Sequence, residues 1–172
     1  MKRKWMIGLV IAVVCIAAGA LFFMNSIPKG DTVESREEIL NDAIHKGEGW
    51  TIQKETELDG YLISAACSAD QMATLAVFKP AGDGRYELQT ATNRKQDEII
   101  FGGTMVDGTW YDLIWFGGAQ TEYAEVSYTV NGQEQEPLKF DTTQMDIICT
   151  PNPAKEYTLS VVYYDRDGNR YE

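Results

Sequence analysis

Histidine, cysteine and closely spaced carboxylates are the side chains with which a short chain does chemistry, and this sequence is sparing with the first two. Of 172 residues, one is His and three are Cys. A single His excludes any two-His metal site within one chain. A Ser-His-Asp or Cys-His system needs an imidazole to take the nucleophile's proton, so it would have to recruit His45. That residue falls on the last turn of a helix that the pattern predicts, where a polar or cationic group suits the C-terminus without catalysis. Cys67 and Cys149 are the thiols beyond the N-terminal apolar run, and their spacing is not CxxC. Two readings stay open: one disulfide closing a loop of about 80 residues, worth ~4 kcal/mol in the chain-entropy view, or two separate buried thiols.

Asp165-Arg166-Asp167-Gly168-Asn169 places oxygen ligands at alternate positions, as part of a calcium loop does. An EF-hand also needs a bidentate Glu at loop position 12 and a second helix; the stretch therefore reads as a turn. No metal or cofactor is expected. The 26 acidic residues make paired-carboxylate hydrolysis formally available, but separation in space decides that mechanism. The one local concentration is aromatic: Trp110, Tyr111, Trp115, Phe116, Tyr123 and Tyr128. These side chains serve either a core or an exposed platform that stacks on sugars or peptides. Gly102-Gly103 and Gly117-Gly118 flank the stretch and suggest bulges or tight turns. Neither pair opens a phosphate-cradling loop before a helix, so nucleotide binding is unsupported.

The elements that must position these residues begin with an apolar segment. Trp5 to Met24 carries no charged side chain, and twenty helical residues span about 30 Å, the hydrocarbon thickness of a bilayer. Lys2, Arg3 and Lys4 precede it, so the positive-inside rule leaves the N-terminus cytoplasmic and the remainder outside. Ala18-Gly19-Ala20 resembles a signal-peptidase site, which would give a secreted protein instead. Lipidation at Cys15 would need a small residue just before it, where Val14 stands. The chain's formal charge is −11. Residues 1–24 contribute +3, leaving −14 on the rest, which argues against nucleic acid as a partner. No N-x-Ser/Thr acceptor occurs, consistent with a bacterial envelope.

Next comes an amphipathic helix of about 15 residues. Asp31 is its expected cap, with Glu34 completing a capping box and Gly47 as the C′ residue. Val33, Leu40, Ala43 and Ile44 share its apolar face. It either packs on the following domain or forms a solvated stalk. From Trp50 the apolar period changes from 3.6 to 2. Tyr123–Val130 alternates into Asn131-Gly132, a strong hairpin signal. Tyr111–Phe116 is apolar on both faces and reads as a central strand. Pro80–Gly84 reads as a five-residue turn between Leu75–Phe78 and Tyr86–Leu88. Further strands are expected at Thr51–Glu55, Tyr61–Ala66, Glu98–Phe101, Leu138–Phe140 and Met145–Cys149. Tyr157–Tyr163 alternates into the turn at Asp167-Gly168, and this block resembles the last hairpin of bacterial immunoglobulin-like domains, which implies a sandwich.

The expected fold is therefore mainly β: an antiparallel β-sandwich (immunoglobulin-like or related) preceded by one amphipathic helix and an N-terminal transmembrane helix. The divisions are 1–4, a cytoplasmic basic end; 5–24, the anchor; 25–48, a linker and helix; and 49–172, an extracytoplasmic β domain. The expected function is a non-catalytic binding or interaction module whose ligand is an envelope protein or cell-wall material. The aromatic residues Trp110, Tyr111, Trp115, Tyr123 and Tyr128 are its candidate site. The competing expectation is an envelope hydrolase using carboxylates beside that aromatic region. A GxxxG motif for self-association is absent from the apolar segment, since Gly8 and Gly19 do not have that spacing.

Overall fold

The computed structural model describes residues 28–96, 98–117 and 121–171. The proposed anchor at 5–24 lies outside them, and no helix among the described residues is long and apolar enough to cross a membrane. The helix α1 spans Val33–Ala43, shorter than its pattern suggests. Its N-cap is Thr32 rather than Asp31: the Thr32 hydroxyl accepts from the Ser35 amide at 3.2 Å. The helix stops at Ala43 because Ile44 is already extended. Gly47, though at positive φ, therefore lies three residues beyond the cap and not at C′. Leu40 and Ile44 are buried as expected, whereas Val33 and Ala43 are exposed. Arg36, which the pattern assigns to the wet face, is only 5% exposed.

That guanidinium is the pivot of the helix's attachment. Its Nε and Nη2 donate to the two Glu55 oxygens at 2.9 and 2.6 Å, and its Nη1 donates to the Gly30 carbonyl at 2.8 Å. The bidentate geometry satisfies a charge that would otherwise be costly to bury. Gly30 can be nothing else: its φ is +67°, and a Cβ there would lie 2.3 Å from the Tyr86 carbonyl oxygen. Thus α1 is docked on the domain and is not a free stalk.

Eleven strands follow among the described residues, four pairs of them joined by one repeated turn chemistry. Asp59-Gly60, Asp83-Gly84, Asp107-Gly108 and Asn131-Gly132 all have positive φ at both residues, the backbone of two-residue hairpins. The first joins β1 (Thr51–Leu58) to β2 (Tyr61–Cys67), and the second joins β3 (Met72–Gly82) to β4 (Arg85–Lys95). The third joins β5 (Ile100–Val106) to β6 (Thr109–Trp115), and the fourth joins β7 (Tyr123–Val130) to β8 (Gln133–Glu134). The five-residue turn expected at Pro80–Gly84 is thus a two-residue one, with β3 running through Pro80 to Gly82. Gly102-Gly103 makes no bulge; both residues sit inside β5 in regular register with Leu113 and Asp112. The remaining strands are β9 (Leu138–Asp141), β10 (Ile148–Pro151) and β11 (Tyr157–Tyr164). The strand expected at Met145–Cys149 is displaced because Met145 is at φ +50°, which ends extended pairing there.

These strands form three antiparallel sheets, ordered β1-β2-β3-β4, β10-β6-β5, and β11-β7-β8 with β9 also paired to β7. Strand alternation divides their side chains among three cores. Ile63, Ala65, Leu75 and Val77 of the first sheet meet Ile100, Leu113 and Trp115 of the second. Ile114 and Ile148, on the second sheet's other face, meet Ala124, Val126, Tyr128 and Tyr163 of the third. On the far side of the first sheet, Ala66, Ala76 and Phe78 receive Leu40, Ile44 and Trp50. Apolar residues on both faces of β6 are thus explained: β6 runs between two cores.

Candidate functional site

Alternation along β6 sends Tyr111, Leu113 and Trp115 toward the first sheet, and Trp110, Asp112 and Ile114 toward the third. The aromatic stretch is consequently divided. Trp115 is buried at 1% exposure, and its indole N–H donates to the Met145 carbonyl at 3.0 Å. Tyr111 packs half-buried against the same core. Tyr128 is buried on the opposite side of β6. Tyr123 lies on the outer face of the third sheet, stacked on Tyr164 at 4.6 Å between ring centroids, with the Lys139 ammonium 3.4 Å from its ring centre. Trp110 alone of the five is open, at 55% exposure.

Trp110 forms one wall of a cleft of about 540 Å³ lined by Gly108, Thr109, Trp110, Asn152, Ala154 and Lys155. The Asp107-Gly108 hairpin supplies one side. The loop after β10 supplies the other, fastened by the Asn152 amide, which donates to the Trp110 carbonyl at 2.8 Å. Prolines at 151 and 153 restrict that loop on either side of Asn152. The Asn152 side-chain oxygen is buried and has no hydrogen-bond partner. The cleft thus offers an indole face and a lysine, with Asn152 in its lining.

Behind the cleft lies a polar network that holds it in place. Asp112 accepts from the Tyr157 hydroxyl at 2.7 Å and from the Tyr128 hydroxyl at 3.0 Å. Tyr128 also bonds the Thr150 hydroxyl. Burial, reinforced by the Asp112 carboxylate, pushes the Tyr128 phenol up to about 12, and the same two causes raise Tyr157 further. Both phenols therefore remain proton donors across the physiological range, and both Asp112 oxygens serve as their acceptors. This network ties β7 and β11 to β6, fixing the third sheet against the second. An acid inside the apolar run 111–116 and an Asn between two prolines were the sequence signals for these residues.

The other candidates lie apart. His45 is exposed and two residues beyond the end of α1. Cys67 and Cys149 are free thiols that pack, half-buried, against the core between the first and second sheets. Burial raises both, Cys149 to about 11, so neither has the depressed pKa of a reactive thiol. Asp165 accepts from the Asp167 and Asn169 amides at 2.9 and 2.8 Å and from the Asn169 side chain at 3.0 Å, which makes a closed turn. No cluster of three or more metal-ligating side chains occurs among the described residues.

No protein-family model, curated protein or solved structure matches the chain.

Proposed function

We propose that the chain is a non-catalytic recognition module of the cell envelope, held to the membrane by residues 5–24 and displaying its β domain outside. The observation that carries the recognition reading is Trp110, a large apolar side chain left open at the mouth of a cleft. An indole face and a cation suit a ligand with an apolar face and negative charge. Cell-wall polymer has both features. The finer fold reading, an immunoglobulin-like or related sandwich, is supported by cores shared between facing sheets. Its use for recognition is an analogy at the level of architecture.

The test is co-sedimentation of the intact chain, in detergent micelles, with purified cell-wall sacculi. Wild type is expected in the pellet, with Trp110→Ala at least about tenfold weaker, as loss of an exposed aromatic anchor predicts. Trp110→Phe should retain part of the binding. Equal sedimentation of wild type and Trp110→Ala would refute the cleft. Release of soluble fragments from the sacculi, abolished in Asp112→Asn, would instead establish the hydrolase.

A further inference from the structure

Sheet edges carry unpaired backbone groups, and soluble proteins normally blunt them with charge, proline, irregular register or a covering segment. Most outer strands here show such devices. Along β1, the Trp50 and Ile52 amides donate to Asn41 and Glu37 of α1 at 2.9 and 2.8 Å, and the register shifts between Ile52 and Lys54. The edge of β4 carries Arg85, Arg94 and Lys95, and its Tyr86 amide donates to the Lys29 carbonyl. The chain folds back on β11 through a bridge between Tyr164 and Arg170. Strand β10 is four residues long and ends in Pro151, and β8 has two residues.

Strand β5 has none of these protections among the described residues. Ile-Phe-Gly-Gly-Thr-Met-Val carries no charge and no proline, and it pairs with β6 alone in unbroken register. The two-residue turn at Asp107-Gly108 makes Val106 and Thr109 the first hydrogen-bonded pair. Alternation along the ladder then turns the N–H and C=O groups of Phe101, Gly103 and Met105 outward. Phe101 and Met105 are 40% and 48% exposed, and Met105 sits opposite the open Trp110. The third sheet covers β6 and β10 but leaves this stripe bare.

We propose that β5 is a dimerisation edge, along which two copies of the chain join antiparallel about a two-fold axis at Gly103. The sequence around that residue is self-complementary in this arrangement. Gly103 faces Gly103 of the second copy, and Phe101 of each copy faces Met105 of the other, a sulfur–aromatic pairing made twice. Charge favours the same choice of partner surface. In a chain of −11, an uncharged strand is where two copies meet without opposed carboxylates across the ladder. The two three-stranded sheets become one of six strands. Asn152 and Lys155 take no part, but Trp110 of the cleft lies opposite Met105. A cross-link at Gly103, which is not in the cleft lining, therefore reads this contact apart from ligand binding.

The test uses the purified full chain in detergent micelles with Gly103→Cys. Directly opposed hydrogen-bonded residues are about 5.5 Å apart at Cα, within reach of a disulfide. Mild oxidation should give a disulfide-linked band at twice 19.3 kDa that reductant collapses, whereas Thr158→Cys, on the outer face of the third sheet, should stay monomeric. Sedimentation velocity of charge variants supplies a second reading. Phe101→Lys with Met105→Lys opposes like charges twice and should weaken the dimer roughly tenfold. Phe101→Lys with Met105→Glu pairs opposite charges and should restore it. A monomeric wild type, equal cross-linking from Thr158→Cys, or equal association of the two charge variants would overturn the proposal.

Discussion

Replacing Glu55 by Gln tests whether the docking of α1 rests on a buried ion pair or on apolar packing alone. The substitution keeps shape and one acceptor but removes the charge that neutralises Arg36. Breaking a buried pair by altering one partner costs about 3–5 kcal/mol, because the other charge remains buried and uncompensated. Here Arg36 is buried, with its side chain 7% exposed, while that of Glu55 is 20% exposed. Partial hydration trims the expected loss to about 2–4 kcal/mol. The Gly30 carbonyl still receives one guanidinium N–H, so the arginine is not stripped completely. At roughly 2–4 °C per kcal/mol for a domain of this size, the melting temperature should fall by about 4–16 °C. The assay is circular-dichroism melting of the intact chain in detergent micelles. The control is the triple change Arg36→Met, Glu55→Leu and Ser64→Ala. Ser64 is included because its hydroxyl donates to Glu55 at 2.5 Å and would otherwise be left unsatisfied. An apolar replacement of a buried ion pair is often neutral, so the triple variant should melt closer to wild type than Glu55→Gln does. A loss below about 0.5 kcal/mol in Glu55→Gln is the behaviour of a solvated surface pair and would refute the reasoning.

Two other consequences are open to measurement. Tyr128 titrates near 12 in the fold against an ordinary value of 10.0, and Tyr157 and Tyr163 are raised in the same direction. The unfolded chain thus releases these protons first, so the Tyr128 contribution to stability is intact below pH 10 and is lost between about 10 and 12, while those of Tyr157 and Tyr163 persist further up. Urea unfolding should show the stability gap between wild type and Tyr128→Phe shrinking over that range; a constant gap would contradict the assignment. Gly30→Ala should destabilise the fold by more than about 2 kcal/mol, since strained φ and a backbone clash act together. A melting temperature within about 2 °C of wild type would show that the 28–32 segment can shift at little cost.

The period of the apolar pattern made the β character of residues 50–164 legible, and it located β7 from Tyr123 to Val130 to the residue. It did so because an alternating strand beside a core writes its two environments into adjacent positions. The same logic identified β6 as a central strand, which the structure places between two cores. A second regularity went unread beyond Asn131-Gly132: Asp-Gly or Asn-Gly dipeptides stand at 59, 83, 107 and 131, spaced by 24 residues. Each marks a hairpin, and the strands around them differ too much in composition for the spacing to show as a sequence repeat. By contrast, the cap of α1 shifted by one residue, because Asp31 and Thr32 are both competent caps and the approach of the Gly30 carbonyl to Arg36 selects between them.

Residue types thus determined the hairpin turns, the alternating strands, the apolar segment at 5–24 and the exclusion of two-His metal chemistry. These depend on local backbone preference and on counting, which need no knowledge of distant contacts. Tertiary structure alone decided that Arg36 is buried, because its partner Glu55 comes from β1, nineteen residues away. It also divided the aromatic stretch, since a strand between two sheets sends neighbouring side chains to opposite cores. Trp110 remains open because it lies at the hairpin end of β6, where the third sheet no longer covers the strand. The open edge of β5 has the same origin. A strand's sequence records that it pairs, while the order of strands in the sheet decides whether both of its sides do.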